Sequence, residues 1–285
     1  MPPANPLPAD TAIGRVALRV RDVERMTRFY ADVLGLDVRE EATARAILTA
    51  GGMPLLVLIG DLDAPPRERD ETGLFHVAFR VPSRAALGDA LERIDDRWQL
   101  DGASDHLVSE ALYLSDPERN GIEMYCDRPR DDWPLADDGT VEMDTKPLDL
   151  ELIRRAGRGR RITPDETTVG HVHLEVSSIS ASEAFYVDTL GMAISQRYGE
   201  SALFVAAGGY HHHVGLNVWQ RRSAPSRGRG LAWYELLLPD AGALANLGNR
   251  LDSSSVHVKN DSLDDGYIVE DPDGIEIRLG TTARH

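Results

Sequence analysis

A run of three histidines is the densest group of chemically active side chains in the sequence. His211, His212 and His213 follow Gly208 and Gly209 and precede a short apolar run, a pattern that predicts a turn and then a strand. In a strand, His211 and His213 would share one face and His212 would lie on the other. Because the ordinary pKa of imidazole is about 6.5, these side chains could take up and release a proton near neutral pH.

Four of the six other histidines are also candidates for chemistry. His171 and His173 are separated by one residue, so both point to the same face of a predicted strand. His76 lies in another predicted strand, and His106 directly follows Asp105. Imidazole nitrogens bind divalent metals, but a single strand histidine is equally typical of a hydrogen-bonded structural residue. The organisation of the chain has to decide between the two interpretations.

The sequence repeats itself, and this determines the architecture that we predict. Segments of the first half recur in the second half with the same order and nearly the same spacing. The matching segments are residues 14–20 and 170–176, 28–35 and 184–191, 73–82 and 230–239, and 116–123 and 271–276.

Each half contains two similar modules. A strand with alternating apolar residues opens the first module, as at Val16, Leu18 and Val20. A helix follows, with Asp22 as its predicted N-cap and Gly35 at its predicted end. Further strands close each module. The order strand, helix and three strands therefore occurs four times, and we refer to modules 1 to 4 in chain order.

Two domains are predicted from the repeat and from the polar stretch between its halves. That stretch contains scattered proline and glycine and includes Asp137, Asp138 and Gly139. A short helix is predicted within it, at residues 148–155. The predicted parts are residues 10–130 for modules 1 and 2, residues 131–165 for the linker, and residues 166–285 for modules 3 and 4.

The sequence resembles the vicinal oxygen chelate superfamily, which includes glyoxalase I, bleomycin-resistance proteins and type I extradiol dioxygenases. The pattern FYxDxLG, present at residues 29–35 and 185–191, is typical of this fold and says nothing about the reaction. Three further strings resemble the catechol 2,3-dioxygenase-like branch: GLFH at 73–76, SEALYLSDP at 109–117 and GGYHHH at 208–213. The resemblance implies an α+β fold of four tandem βαβββ modules in two domains, with cupped mixed sheets and the helices outside.

The resemblance also implies where a metal would be bound. In this fold two modules form a cup, and the ligands come from their first strands and from the last strand of one of them. An oxygenase iron favours two imidazoles and one carboxylate, which leaves positions open for substrate and dioxygen. The first-strand positions of modules 1 to 4 are Arg15, His76, His171 and Trp233, and the last-strand carboxylates are Glu123 and Glu276.

One pairing of modules gives a complete ligand set. Modules 3 and 4 would place Trp233 where a histidine is needed, and its indole N–H cannot bind a metal. Modules 1 and 2 would place Arg15 there instead. Modules 2 and 3 supply His76, His171 and Glu123, and we predict that these three residues bind the metal. His173 remains an alternative to His171, because both lie on the same face of one strand.

The resemblance assigns roles to residues beside the metal. Extradiol enzymes carry a tyrosine ten residues before the glutamate ligand, and Tyr113 precedes Glu123 by that distance, whereas Gly266 precedes Glu276. Tyr113 is therefore expected to hydrogen-bond a substrate oxygen. One histidine of the 211–213 triplet is expected to be the acid–base group, and His106 is expected to bind substrate.

The function predicted from this resemblance is an Fe(II)-dependent extradiol dioxygenase that opens the ring of a catechol, with Mn(II) as an alternative metal. A glyoxalase-like isomerase or lyase is a second possibility, but its site usually takes four ligands with two carboxylates. A metal-free binding or resistance protein is a third, although those are short two-module chains that dimerise. Whether this chain forms a homo-oligomer stays open.

Composition limits the partners. The chain of 285 residues has a formal net charge of −16, which repels nucleic acid and anionic membranes. Only Lys146 and Lys259 are lysines, a bias typical of either a high-salt habitat or an arginine-rich genome. The single cysteine, Cys126, excludes an internal disulfide, and the first ten residues do not resemble a secretory signal. We therefore expect a cytoplasmic protein without a membrane span.

Overall fold

The predicted modules are present in the computed structural model, which describes residues 3, 5–136, 140–254, 256–261 and 266–282. Asp137, Asp138 and Gly139 of the predicted linker lie outside the described residues. So do residues 255, 262–265 and 283–285 of the predicted C-terminal domain.

Module 1 begins with a strand and a helix whose ends are set by local chemistry. The Asp22 side chain accepts a hydrogen bond from the Arg25 backbone N–H, as an N-cap does, and Gly35 ends the helix with φ of 77°. Both assignments confirm the sequence-based prediction. The elements are β1 (Ala12–Val20), α1 (Val23–Phe29) continued by a π-helical turn (Tyr30–Leu34), β2 (Asp37–Ala42), β3 (Arg45–Ala50) and β4 (Met53–Gly60).

Module 2 and the segment after it follow the same plan with one addition. The helix predicted at residues 148–155 is confirmed, and Asp149 caps its start. The elements of the module are β5 (Gly73–Arg80), α2 (Arg84–Arg97), β6 (Gly102–Asp105), β7 (Ser109–Ser115) and β8 (Gly121–Asp127). The segment that follows contains a 3₁₀ turn (Arg130–Asp132), β9 (Lys146–Pro147) and α3 (Leu150–Ala156).

Modules 3 and 4 repeat the order of modules 1 and 2. Module 3 consists of β10 (Thr168–Glu175), α4 (Ile179–Glu183) continued by a π-helical turn (Ala184–Thr189), β11 (Ala193–Tyr198), β12 (Ala202–Ala206) and β13 (Val214–Asn217). Module 4 consists of β14 (Gly230–Leu238), α5 (Ala241–Asp252), β15 (Lys259–Asp261), β16 (Gly266–Glu270) and β17 (Glu276–Thr281).

The strands of modules 2, 3 and 4 pair in the same way. The first strand of each module runs parallel to its last strand, as in β5 with β8, β10 with β13, and β14 with β17. Of the other two strands of each module, one pairs antiparallel with the last strand and the second pairs antiparallel with that one. Within the described residues the strands form two mixed sheets, of eight and nine strands, curled into half-barrels with the helices outside. The predicted fold class is confirmed.

The chain divides into two compact units that do not coincide with the sequence order. One unit contains Arg19–Asp63 and His76–Gly170, and the other contains Met1–Leu18, Ala64–Phe75 and His171–His285. We call them the His76 unit and the His171 unit. No helix in the described part of the chain is long and apolar enough to span a membrane.

In each unit, the tyrosine of the FYxDxLG pattern pairs with a buried aspartate that lies outside the pattern. In the His76 unit, the Tyr30 hydroxyl donates to Asp116 Oδ2 at 2.9 Å, and Asp116 Oδ1 accepts two backbone N–H groups of the turn before β8. In the His171 unit, Tyr186 donates to Asp271 at 3.1 Å, and Asp271 accepts backbone N–H groups in the equivalent turn. In each unit, this hydrogen bond therefore connects the π-helical turn to the turn that precedes a last strand.

In each unit a buried arginine also donates hydrogen bonds to the end of the π-helical turn. Arg93 of α2 donates to the backbone carbonyl of Leu34 at 2.9 Å and to that of Arg160 at 3.0 Å. Arg250 of α5 donates in the same way to the carbonyls of Leu190 and Asn5. Burial lowers the pKa of Arg93 to about 10, and the guanidinium stays charged at neutral pH. These arginines satisfy helix-end carbonyls that would otherwise be buried without donors.

The buried aspartates predict a pH dependence of stability. Burial raises the pKa of Asp116 to about 6 and of Asp271 to about 7, whereas an unfolded aspartate titrates near pH ~3.9. Between these values the folded protein holds more protons than the unfolded chain, so the free energy of unfolding falls as the pH rises through this window. We expect Asp271→Asn to flatten that fall, measured by urea unfolding at pH 5 and pH 8. An unchanged slope would contradict the assignment.

Candidate functional site

A buried imidazole–carboxylate pair lies in the sheet of the His76 unit. His76 is on β5 and Glu123 is on the adjacent parallel strand β8, where Glu123 pairs in register with Ala78. Since Ala78 is two residues beyond His76, the two side chains share one face of the sheet. His76 Nε2 lies 3.0 Å from Glu123 Oε2, and both residues are buried. The structure thus brings together two of the three predicted metal ligands.

Tyr113 lies beside this pair, as the ten-residue spacing predicted. It is directly opposite Glu123 in the antiparallel pairing of β7 and β8, and its ring centre is 5.7 Å from that of His76. Burial and the Glu123 carboxylate raise the pKa of the Tyr113 hydroxyl well above its usual value. The hydroxyl therefore stays protonated and can act as a hydrogen-bond donor.

His106 contacts Tyr113 and is fixed from behind. Its Nε2 lies 2.7 Å from the Tyr113 hydroxyl, and its Nδ1 lies 2.8 Å from the backbone carbonyl of Asp144. A carbonyl only accepts, so Nδ1 carries a proton. In the neutral ring, Nε2 then accepts from Tyr113, whereas in the charged ring it donates to it. His106 therefore acts on Tyr113, and its predicted substrate contact stays a prediction.

A glycine packs against the back of this site, directly before His171 in the chain. A Cβ atom built on Gly170 would lie 1.7 Å from the Tyr125 hydroxyl oxygen, so no other residue fits there. Tyr125 is buried on β8, two residues after Glu123, and packs with Ala78 and Ala111. Close packing of the backbone on Tyr125 fixes the chain at the residue that precedes His171.

Within the His171 unit, His171 and His173 have different surroundings. The ring of His171 lies 4.0 Å from that of His212 and 6.1 Å from that of His211, measured between ring centres. His173 Nε2 accepts a hydrogen bond from the Asn217 amide at 3.1 Å. Because that nitrogen lone pair is engaged, His173 is less suited than His171 to bind a metal through Nε2.

His173 is enclosed by aromatic rings and lies over a glycine. Its partner in the pairing of β10 with β13 is Gly215, and a Cβ there would meet the imidazole at 2.9 Å. The rings of Phe75, Phe204 and Trp219 are 5.1, 5.5 and 5.4 Å away in edge-to-face arrangements. Gly215 thus provides the space that His173 occupies.

The predicted strand position of the histidine triplet is wrong. β13 begins only at Val214, and His211, His212 and His213 belong to the turn between β12 and β13. The glycines at 208 and 209 have φ of 60° and 66°, and the chain needs further residues to complete its reversal. The alternation of faces therefore fails, because the Nδ1 atoms of His211 and His212 are 2.8 Å apart.

The triplet residues divide into a proton-sharing pair and a residue that supports the turn. One of the two Nδ1 atoms of His211 and His212 donates and the other accepts, so the pair shares a proton next to the His171 ring. The Nδ1 of His213 instead accepts a hydrogen bond from the Ala207 backbone N–H at 3.2 Å. All three are buried.

The equivalent positions of module 4 hold no imidazole. Trp233 on β14 is directly opposite Glu276 on β17. The Arg278 guanidinium lies over the Trp233 ring, 4.2 Å from its centre, and its Nε lies 3.0 Å from Glu276. Arg15 forms an ion pair with the buried Glu235. Cation–π and ionic contacts occupy the positions where a metal site would need histidines.

The residues that could hold a metal are thus limited in type and position. His76, Glu123 and His171 are all buried, and each offers one atom of a kind that binds metal ions. Two imidazoles and one carboxylate are the donor set that divalent iron prefers in oxygenases, and manganese accepts it as well. The chemistry of the donors fits a divalent transition metal.

Sequence reasoning missed Asn217 and the aromatic rings around His173. Asn217 lies two residues after Gly215 on β13 and therefore shares its face with the pairing position of His173. The glycine itself was the available signal, since a glycine within a strand often marks a close approach by another group. Trp219, beyond the end of β13, gave no signal that sequence reasoning could use.

Comparison with known proteins assigns the class. The model of the glyoxalase/bleomycin resistance protein/dioxygenase superfamily matches residues 12–124 and 168–279, and the chain belongs to this superfamily. This confirms the resemblance deduced from the repeat.

Individual proteins of known name or structure are similar to this chain to different extents. The chain is 42% identical over 271 residues to the catechol-2,3-dioxygenase of Bacillus subtilis (strain 168), covering 92% of this chain and 94% of that protein. It is 30% identical over 121 residues to biphenyl-2,3-diol 1,2-dioxygenase 3 of Rhodococcus globerulus, which covers 40% of this chain and 63% of that protein. The crystal structure of glyoxalase I from Zea mays has the same fold, with a TM-score of 0.59, 14% identity, and coverage of 96% of this chain and 93% of that one.

The glycine beneath His173 gives a testable prediction. We expect Gly215→Ala to displace the imidazole and to lower the free energy of unfolding by about 1–3 kcal/mol, as overpacking in a filled core does. In a His173→Ala background the same substitution should cost much less, because the obstructing ring is gone. Urea unfolding of the four variants of this cycle measures the difference. Equal costs in both backgrounds would show that His173 does not fill this space.

Proposed function

We propose that this protein is an extradiol dioxygenase that uses Fe(II) to open the ring of a catechol-type aromatic diol with dioxygen. The observation that carries the proposal is the 42% identity, over almost the whole chain, to a protein named catechol-2,3-dioxygenase. The buried pair of His76 and Glu123 supports it, because it supplies an imidazole and a carboxylate of the ligand set that the reaction needs.

We propose His76, Glu123 and His171 as the metal ligands. His76 Nε2 and Glu123 Oε2 lie 3.0 Å apart on one face of the sheet, so one ion could contact both atoms. Gly170 packs against Tyr125, which supports a fixed position for the adjacent His171. The Asn217 contact of His173 favours His171 over His173 as the second imidazole.

When bound, the divalent ion would hold the two diol oxygens and dioxygen side by side through its open positions. Fe(II) is the metal we propose, and Mn(II) shares its ligand preferences. Side chains around the metal would bind the substrate and transfer its protons.

Tyr113 would orient one oxygen of the diol. Its protonated hydroxyl is a hydrogen-bond donor, and in the structure it lies against His106 Nε2 at 2.7 Å and the Glu123 carboxylate. His106 is thus a positioning residue for Tyr113, held by the Asp144 carbonyl.

The pair of His211 and His212 would move the diol proton. In the neutral pair one Nδ1–H donates to the other Nδ1, so Nε2 of the donating ring is the nitrogen that can accept a proton from a substrate hydroxyl and return it later. The contact of the His212 ring with His171 favours His212 as the member nearer to the metal ligand. His213 would keep the turn in place.

One experiment tests the function directly. The protein is reconstituted with Fe(II) without oxygen, catechol is added, and air is then admitted while the visible spectrum is recorded. We expect a yellow ring-fission product that forms in proportion to bound iron. Iron binding without this product would exclude the extradiol reaction, and failure to bind iron or manganese would favour a metal-free binding protein.

The ligand assignment predicts which carboxylate matters. We expect His76→Ala, His171→Ala and Glu123→Ala each to lose bound iron and activity, because each removes one of three donors. Glu276→Ala is the matched control, since Glu276 has the same place in module 4 but lies against Arg278. Iron per chain and turnover are measured for all four. The assignment is wrong if Glu276→Ala loses iron while Glu123→Ala retains it.

The residues around the metal should affect turnover and leave metal binding intact. We expect His212→Gln to lower kcat by about 10²–10⁴-fold, the usual effect of one acid–base group. Tyr113→Phe should lower it by about fivefold, since one hydrogen bond of about 1 kcal/mol is lost. His213→Gln should mainly lower thermal stability. Full kcat with normal iron content in both His212→Gln and Tyr113→Phe would place the substrate elsewhere.

A further inference from the structure

A cleft of about 950 Å³ opens on the surface of the His171 unit, at the ends of β10 and β13. It is lined by residues that follow these two strands, by α4 and by the turn between β11 and β12. The thirteen lining residues are mostly polar and include five serines, three arginines and two glutamates. Small-molecule sites in proteins have volumes of about 300–1,000 Å³, so the cleft is large enough for a ligand of one or two rings.

Trp219 is the one aromatic residue in the lining, and half of its surface is exposed. Its ring is held in one orientation, because it packs edge-to-face on Phe75 and on His173, with ring centres 5.4 Å apart in both cases. An exposed indole that cannot turn offers a flat apolar surface on which a planar ring can stack. In a cleft whose other walls carry hydroxyls and charges, this surface favours an aromatic ligand.

One of the three arginines in the lining keeps an uncompensated charge. Arg197 pairs with Glu183 at 2.5 Å, and Arg222 pairs with the buried Glu175 at 2.9 Å. Arg221 is exposed, and no acceptor among the described residues contacts its guanidinium. A guanidinium binds a carboxylate with two parallel hydrogen bonds, so Arg221 can hold one carboxylate of a ligand.

One acid of the lining limits the charge of that ligand. Glu200, on the turn between β11 and β12, forms no ion pair within the described part of the chain. Its carboxylate repels a second anionic group on the ligand but can accept a hydrogen bond from a hydroxyl. One uncompensated guanidinium beside one uncompensated carboxylate therefore selects a ligand with a single carboxylate.

The indole and the guanidinium are carried by one turn whose shape is fixed. The Arg221 N–H donates to the Val218 carbonyl at 3.0 Å, and the Trp219 N–H donates to the Asn217 side chain at 3.2 Å. Arg221 has φ of 53°, a left-handed conformation that is unfavourable for a residue other than glycine. Strain of this kind is characteristic of binding and active sites, and a turn that is ordered before binding lowers the entropic cost of binding.

We propose that this cleft is a ligand site for an aromatic monocarboxylate and that it contains none of the proposed metal ligands. The aromatic ring stacks on Trp219, Arg221 holds the carboxylate, and serine hydroxyls of the walls bind polar substituents of the ring. The inference goes beyond the proposed function and does not depend on it.

The test uses 2-naphthoate, which has one carboxylate and a fused ring system similar in size to indole. Its binding to the iron-loaded protein without oxygen is measured by isothermal titration calorimetry. 2-Naphthamide keeps the rings and lacks the charge, and 2,6-naphthalenedicarboxylate adds a second carboxylate. We expect 2-naphthoate to bind about tenfold more tightly than the amide, because charge-assisted hydrogen bonds are made only by the acid. It should also bind more tightly than the dicarboxylate.

Variants assign the binding to the two residues. Arg221→Gln should weaken binding of 2-naphthoate by about tenfold and leave binding of 2-naphthamide unchanged, since the charge is lost and the strained backbone is kept. Trp219→Leu should weaken binding of both compounds, because both use the stacking surface. Arg227→Gln is the matched control, since Arg227 is an exposed arginine of the following segment that does not line the cleft. It should bind 2-naphthoate like the wild type.

Glu123→Ala distinguishes this site from the proposed metal centre. Glu123 does not line the cleft, so this variant should keep the affinity of the wild type for 2-naphthoate. Loss of binding in Glu123→Ala would place the ligand at the metal centre and overturn the proposal. It would also be overturned if the wild type does not bind 2-naphthoate, or if Arg221→Gln binds it equally well. If catechol is not cleaved, the proposed function fails, and this titration still decides whether the cleft is a ligand site.

Discussion

Burial of an imidazole beside a carboxylate on two adjacent strands is the constraint on which the site depends. A carboxylate in a sheet interior is costly unless it is paired, and Glu123 has His76 at 3.0 Å. The pairing requires β5 and β8 to keep one register, because a shift by a single residue would turn Glu123 to the other face. The same register sets Tyr113 opposite Glu123 on β7. Ala78 and Ala111 pack with Tyr125 and Tyr113 beside these groups.

That register is supported by hydrogen bonds that lie outside the site. Tyr30 and Asp116 connect the π-helical turn of module 1 to the turn that begins β8, and Arg93 closes the same turn from α2. The second unit repeats the arrangement with Tyr186, Asp271 and Arg250. This explains why FYxDxLG identifies a fold and not a reaction: its tyrosine and its leucine carbonyl form hydrogen bonds that hold two modules of one unit together.

The parts that sequence reasoning could predict are those fixed by periodicity and repetition. The four modules, the helix caps and the neighbours His76, Glu123 and Tyr113 follow from strand alternation and from matching positions in the repeat. The strand prediction for the histidine triplet is wrong because the turn at Gly208 and Gly209 needs the four residues 210–213 before β13 begins. Contacts across the sheet, such as Asn217 with His173, depend on which strands are adjacent, and a single sequence does not contain that information.

The polar face of β10 shows how one strand can hold buried polar groups at different costs. Val172 and Leu174 point the other way and are fully buried, so their burial offsets part of the cost on the polar face. On that face, Glu175 is neutralised by Arg67 and Arg222, and His173 receives an amide hydrogen bond. Both are thereby committed to structure. His171, next to the proton-sharing rings of His211 and His212, is surrounded by groups that can change protonation, and chemistry on this strand is for that reason expected at His171.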